Sequence, residues 1–259
     1  MVLQHISSGM TDFQAKNYVC QKIIINKISK SPMADRVLIK GGVVMFNLTK
    51  NLRRTTSDLD FDFIRYDISN ESLKLFINLL SKYDSFYKVK LSKIEQLHQE
   101  DYKGKRLLIV ISDKSASINF KLDVGVHTLL SIEQTSACFY FDDEQQNTLK
   151  VNPPEQIFAE KLYSLAKHGP LSTRFKDAFD MYYLINQKVL NKNTVRKCIE
   201  LLTIRHVNNI SSIDDVCNLV SNTFEDKQYI QNIKTTKDNW IDVDYQIMFQ
   251  TILDFIYSI

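Results

Sequence analysis

The sequence predicts an α+β protein, with an α/β part over residues 1–151 followed by a helical part over 152–259. Three observations lead there. Short runs of β type occur only before Pro153, and everything after Asn152-Pro153-Pro154-Glu155 carries almost purely helical periodicity. A chain of 259 residues, 44% of them hydrophobic, is also long enough to bury a sizeable core in one large domain or two small ones.

Taken in order, the spacing predicts a helix over 12–29, a strand VLIK at 37–40, a helix over 42–50 and a strand DLDFDFI at 58–64. A helix over 69–83 follows. Strands are then expected at 86–91 (FYKVKL), 106–112 (RLLIVIS), 117–124 (SINFKLDV), 137–141 (ACFYF) and 148–151 (TLKV). Asn152 can cap the next helix, Pro153 suits its first position and Glu155 sits three residues after the cap, so a helix should run to about His168, where Gly169-Pro170 ends it. Further helices are expected at 172–187, 191–203, 211–222 and 240–258. There is no internal repeat, low-complexity segment or long linker.

Composition removes several function classes. The net charge is +3. Residues 1–150 carry 21 Lys and Arg against 17 Asp and Glu, while the remainder carry 12 against 13, an asymmetry too slight to announce a nucleic-acid binder on its own. Cys20, Cys138, Cys198 and Cys217 lie far apart and form no C-x-x-C pair, which disfavours a zinc site or a disulfide framework. The start, MVLQHISSGM, lacks a basic segment followed by an apolar one, and no apolar run approaches the ~18 residues that span a bilayer. A soluble, cytoplasmic protein with no membrane partner is expected.

The stretch VLIKGGVVMFNLTKNLRRTTSDLDFDF, from Val37 to Phe63, carries the chemistry. In its last strand Asp58, Asp60 and Asp62 project to one face, with Leu59, Phe61 and Phe63 on the other. Carboxylates two apart on a strand are ~7 Å apart at Cα, close enough for Asp58 and Asp60 to share a divalent metal. In INFKLDVG, Lys121, Asp123 and Gly125 share a face, so Asp123 joins the pair if the strands are neighbours. Oxygen ligands without a histidine or cysteine favour Mg2+ or Mn2+. Upstream, Gly41-Gly42 lies between a strand and a helix start, where bare backbone N–H groups can face a triphosphate. Lys40, Arg53 and Arg54 beside it are candidate phosphate contacts, and Asp62 is the more structural carboxylate. Each feature has a plainer reading: a tight turn, a solvated acidic face, ordinary surface charges. Their combination in this order is far more specific.

The succession KGG, RRTTSDLDFDF, KLDVG, PPEQIFAEKLYSLAKHG and STRFKDAFDMYYL resembles the AbiEii/AbiGii toxin family of nucleotidyltransferases, in the polymerase-β-like superfamily, from about Leu38 to Leu184. Many nucleotidyltransferases have Gly-Ser where this chain has Gly41-Gly42, a change that removes a hydroxyl contact to phosphate and keeps the backbone ones. The resemblance implies a polymerase-β-like α/β domain with a mixed sheet and a helical C-terminal domain. It further implies that Asp58 and Asp60 bind the metal ions that bridge the phosphates of an NTP, and that Asp123 is the third carboxylate, which deprotonates or positions the attacking hydroxyl. Lys161 would contact the nucleotide phosphates, and Asp177, with Asp180 its close alternative, would be the acidic residue of the last motif. Related toxins modify the 3′ end of tRNA, act in toxin–antitoxin and phage abortive-infection systems and are countered by an antitoxin protein; RNA is thus the leading acceptor.

The residues themselves allow a check. Phe158, Leu162 and Leu165 form an apolar stripe on the helix from Pro153, with Ile157, Lys161 and Ser164 on the adjoining face. Arg174, Asp177 and Asp180 fall on one side of the next helix, within reach of Lys161 if the two run antiparallel. A salt bridge that only holds the two helices together is the other reading of these residues. A protein or small-molecule acceptor, and a non-catalytic nucleotide-binding module, are the rival functions. Lys103, Lys105 and Arg106, with Arg53 and Arg54, are read as charges in or near loops, offering scattered phosphate contacts to an RNA.

Overall fold

The computed structural model describes residues 2–7, 9–83, 86–97, 104–140, 146–203 and 210–259. It divides into two compact units, Met1–Asn152 and Pro153–Ile259.

In the first unit α1 (Val2–Ser7) precedes α2 (Asp12–Ser29), which begins where expected because Thr11 and Gln14 form a reciprocal capping box. Then come β1 (Val37–Lys40), α3 (Gly42–Thr49), β2 (Leu59–Phe63), α4 (Asn70–Lys82), β3 (Lys88–Gln96), β4 (Lys105–Ser112), β5 (Ser117–Val126), β6 (Thr135–Tyr140) and β7 (Gln146–Val151). Phe141, expected to end the sixth strand, lies outside the described residues. The strands form one mixed sheet in the order β3-β4-β5-β2-β1-β7-β6. β2 runs parallel to β5 and β1 parallel to β7, while the other neighbours are antiparallel. Alternation gives the sheet two unlike faces. On one, Val37, Ile39, Leu59, Phe61, Phe63, Leu107, Ile109, Phe120, Leu122 and Val124 are all buried. Helices α2 and α4 cover this face, and Phe76 of α4 sets its ring 5.8 Å from that of Phe61 and 5.0 Å from that of Phe63. The opposite face carries the polar and charged residues of the same strands.

The second unit consists of α5 (Pro154–His168), α6 (Phe175–Asn186), α7 (Lys192–Thr203), α8 (Ile213–Glu225), α9 (Lys227–Thr235) and α10 (Tyr245–Ile256). The N-cap of α5 is Pro153, with Pro154 inside the first turn, rather than Asn152. A residue that precedes proline is pushed to extended backbone, and Pro153 (ψ 155°) obeys that rule, which shifts the start by one. Gly169 closes the helix at φ 53° as expected. The last helix begins at Tyr245 instead of 240, since the Asp244 carboxylate caps the Gln246 N–H. Its core includes the stacked rings of Phe224 and Phe249, 3.9 Å apart.

Candidate active site

Asp60 lies within β2 and pairs in register with Asp123 on the parallel strand β5. Asp123 in turn pairs with Arg106 on β4, and Asp60 with Lys40 on β1. Arg106, Asp123, Asp60 and Lys40 thus form one row across four strands, on the face opposite the core. Asp58 precedes β2 by one residue instead of starting it. It is held from behind. Gln21, buried on α2, donates Nε2 to the carbonyls of Thr56 (2.9 Å) and Asp58 (3.1 Å), and Gln14, two turns earlier on the same helix face, donates to Thr55 Oγ1 (3.0 Å).

Arg106 donates Nε and Nη2 to the two oxygens of Asp123, both at 2.7 Å, a bidentate pair. Its guanidinium pKa is pushed up, first by that hydrogen bond, against the desolvation that opposes it, and then by the charges of Asp123, Asp58 and Asp60. All three expected carboxylates therefore act on a single cation. Lys40 Nζ sits 2.8 Å from Oδ1 of Asp62, which is buried, so the structural reading of Asp62 holds.

The glycine pair is shaped by these neighbours. Gly41 caps α3 at φ 71°, and a β-carbon there would come 2.4 Å from Asp60 Oδ2. One on Gly42 would come 2.7 Å from Cβ and Oγ1 of Thr56. The turn that exposes the first N–H groups of α3 thus lies directly against a carboxylate of the row. Arg53 is exposed and Arg54 buried in the short turn Leu52–Arg54 between α3 and β2, so Arg54 is no ordinary solvated charge.

Carboxylate oxygens are the right donors for a hard divalent cation, and the charges of Asp58, Asp60 and Asp123 all act on the Arg106 guanidinium. Among the described residues no three His, Cys, Asp or Glu side chains are gathered into one metal cage. Asp123 instead accepts from Arg106 with both of its oxygens. The donor set fits a divalent ion at Asp58 and Asp60, with Asp123 held beside it.

In the second unit Lys161 Nζ lies 2.5 Å from Asp177 Oδ1 and 2.8 Å from Asp180 Oδ2, and Arg174 Nε lies 3.1 Å from Asp177 Oδ2. Lys161, Asp177 and Asp180 are all buried. The ion pairs expected between the two helices are therefore formed. Arg106 lies in β4 as the expected strand 106–112 had it, and Lys105, read with the charges in or near loops, opens the strand one residue earlier. Lys103 lies outside the described residues. Sequence reasoning did not single out Gln14, Gln21 or the clamp role of Arg106. Only the phase of RLLIVIS, with Leu107 and Ile109 inward, placed Arg106 on the polar face, and its partner needed the strand register.

The sequence profile of the family described as nucleotidyl transferase AbiEii toxin, type IV TA system, matches residues 23–256. No curated protein matches. Among solved structures, JHP933 from Helicobacter pylori shares 16% identity at a TM-score of 0.52, over 96% of this chain and 93% of that one. A second H. pylori structure, described as that of a candidate nucleotidyltransferase, shares 15% identity at a TM-score of 0.50, over 93% of this chain and 92% of that one. At such identities the likeness is one of fold. No helix among the described residues is long and apolar enough to cross a membrane.

Proposed function

The chain belongs to the AbiEii nucleotidyltransferase toxin family, and on that premise we propose that it transfers a nucleoside monophosphate from an NTP to the 3′ hydroxyl of an RNA, tRNA first among them. The contact between Gly41 and Asp60 carries the reading. It sets an anion-binding turn against a metal-binding carboxylate, so a triphosphate held by the first N–H groups of α3 meets the cation that neutralises it. Asp58 and Asp60 would hold Mg2+ or Mn2+, which when bound would polarise the phosphates and stabilise the attacking and leaving oxygens. Gln21 fixes the backbone that carries Asp58. Arg106 fixes the Asp123 carboxylate, which orients the acceptor hydroxyl and receives its proton. The hydroxyl oxygen bonds to the α-phosphorus, the α–β phosphoanhydride bond breaks and pyrophosphate leaves. Phosphate contacts from Lys40, Arg53 and Arg54, and the nucleotide roles of Lys161, Asp177 and Asp180, belong to the same proposal. In the cell the enzyme would arrest growth unless restrained by a cognate antitoxin, as in toxin–antitoxin and phage-defence systems.

Purified protein incubated with α-labelled NTPs, magnesium and total RNA should label RNA. Periodate oxidation of the RNA 3′ end should abolish labelling. Asp58→Ala or Asp60→Ala should lower the rate on the order of 100-fold or more while leaving the circular dichroism spectrum intact. Undiminished transfer in either variant at limiting magnesium would remove the metal assignment, and label found on protein would redirect the acceptor.

A further inference from the structure

The sheet face that holds the carboxylate row continues outward over β5, β4 and β3, and its residues can be read from the registers. Lys121 shares the Asp123 side of β5, Leu108 and Val110 the Arg106 side of β4, and Lys88, Lys90 and Lys93 stand opposite Ser112, Val110 and Leu108. Strict alternation from Lys90 would turn Lys93 toward the core. A bulge between Leu91 and Lys93 absorbs Ser92 and returns Lys93 to the outer face. Lys88, Lys90, Lys93 and Lys121 are all exposed. Glu95 is the opposing charge on this part of β3, paired to Lys93 at 2.8 Å with side chains 64% and 38% exposed, an arrangement worth little in water. The Lys93 hydrogen bond and charge, then Arg106 and Lys121, hold its carboxyl below the ordinary range, so the cations of three strands act on one place.

We propose that this face of β3, β4 and β5 is the track for the acceptor, on which Lys88, Lys90, Lys93 and Lys121 hold the phosphates of an RNA backbone that leads to the carboxylate row. It rests on the reading of RNA as acceptor. Lysines alternating on a strand recur every ~7 Å, a ladder of point charges that suits a polyanion rather than one small anion. Between them stand Leu108, Val110, Ser112 and Asn119, none of them aromatic, so this stretch of the track reads backbone charge and not sequence.

Binding of bulk tRNA without NTP, followed by fluorescence anisotropy across a salt series, tests the track apart from transfer. The triple variant Lys90→Gln, Lys93→Gln, Lys121→Gln should bind at least ~10-fold more weakly near 0.1 M salt, with the log–log salt slope reduced by about two to three. Arginine at the same three positions should restore both. An affinity and slope equal to wild type would overturn the proposal. So would a triple variant that keeps tRNA but loses a co-purifying antitoxin, since the face would then serve an acidic protein. If the lysines prove necessary for tRNA binding while wild-type enzyme and NTP label no RNA, the track stands and the acceptor reading falls.

Discussion

A buried ammonium is tolerated only when its charge is met, and Lys161 is met by two carboxylates, at 2.5 and 2.8 Å. Its removal takes the buried cation away from Asp180, itself wholly buried, and leaves Asp177 to the exposed Arg174. Lys161→Met should therefore cost about 3–5 kcal/mol in chemical denaturation, and adding Asp177→Asn and Asp180→Asn should recover much of it. A variant as stable as wild type would show that the pair is held only loosely. This triad was legible in the sequence because helical spacing alone puts Arg174, Asp177 and Asp180 on one side. The Arg106–Asp123 clamp was not, since it joins residues 17 apart through a strand pairing that no local periodicity encodes.

Among elements, α2 was readable to the residue, for its cap chemistry is local, whereas β3 runs on to Gln96 because pairing with β4 and a bulge carry it past its own apolar pattern. α9 went unread because Asp226 both ends α8 and caps α9, leaving no gap between them. β2 begins after Asp58, so the first carboxylate owes its place to a strap tied to α2 rather than to the sheet. Gln21→Leu should then reduce nucleotidyl transfer about 10-fold or more while costing about 1–3 kcal/mol of stability, as two half-buried carbonyls lose their donor. Restoration of the rate by raised magnesium would mark the loss as one of metal placement. A rate that falls only in step with the folded fraction would make Gln21 purely structural.

At the scale of the whole molecule, both units bury thiols. Burial pushes Cys20 in the first unit up to about 12, and burial, then the charges of Glu155 and Glu160, pushes Cys198 in the second up to about 12, from an ordinary 9.0. Burial, then the Asp177 charge, also raises the Tyr229 phenol. Between about pH 9 and 12 the folded chain keeps protons that the unfolded chain releases, so this contribution is complete below pH 9 and is lost as pH rises. This contribution to unfolding free energy should be level from about pH 6 to 8 and fall above 9 by about 1 kcal/mol per pH unit for each thiol, a loss read as a falling melting temperature. Cys20→Ala with Cys198→Ala should flatten the fall, and an unchanged slope in that variant would assign alkaline loss to other groups.

The space beside Gly42 also bears on ancestry. A β-carbon at 42 and the Thr56 side chain claim one volume, so in a lineage with Thr56 the Gly-Ser form of the motif forces the chain at 56 to move. The least strained order puts glycine at 56 first, since among the nearest atoms is the Thr56 β-carbon that every residue but glycine keeps, and serine at 42 second. Gly41 is closed to every side chain by its φ of 71° and by Asp60 at 2.4 Å. Selection can therefore move a hydroxyl between position 56 and position 42 at the start of α3, but only as an epistatic pair, and descendants that differ at one should differ at both.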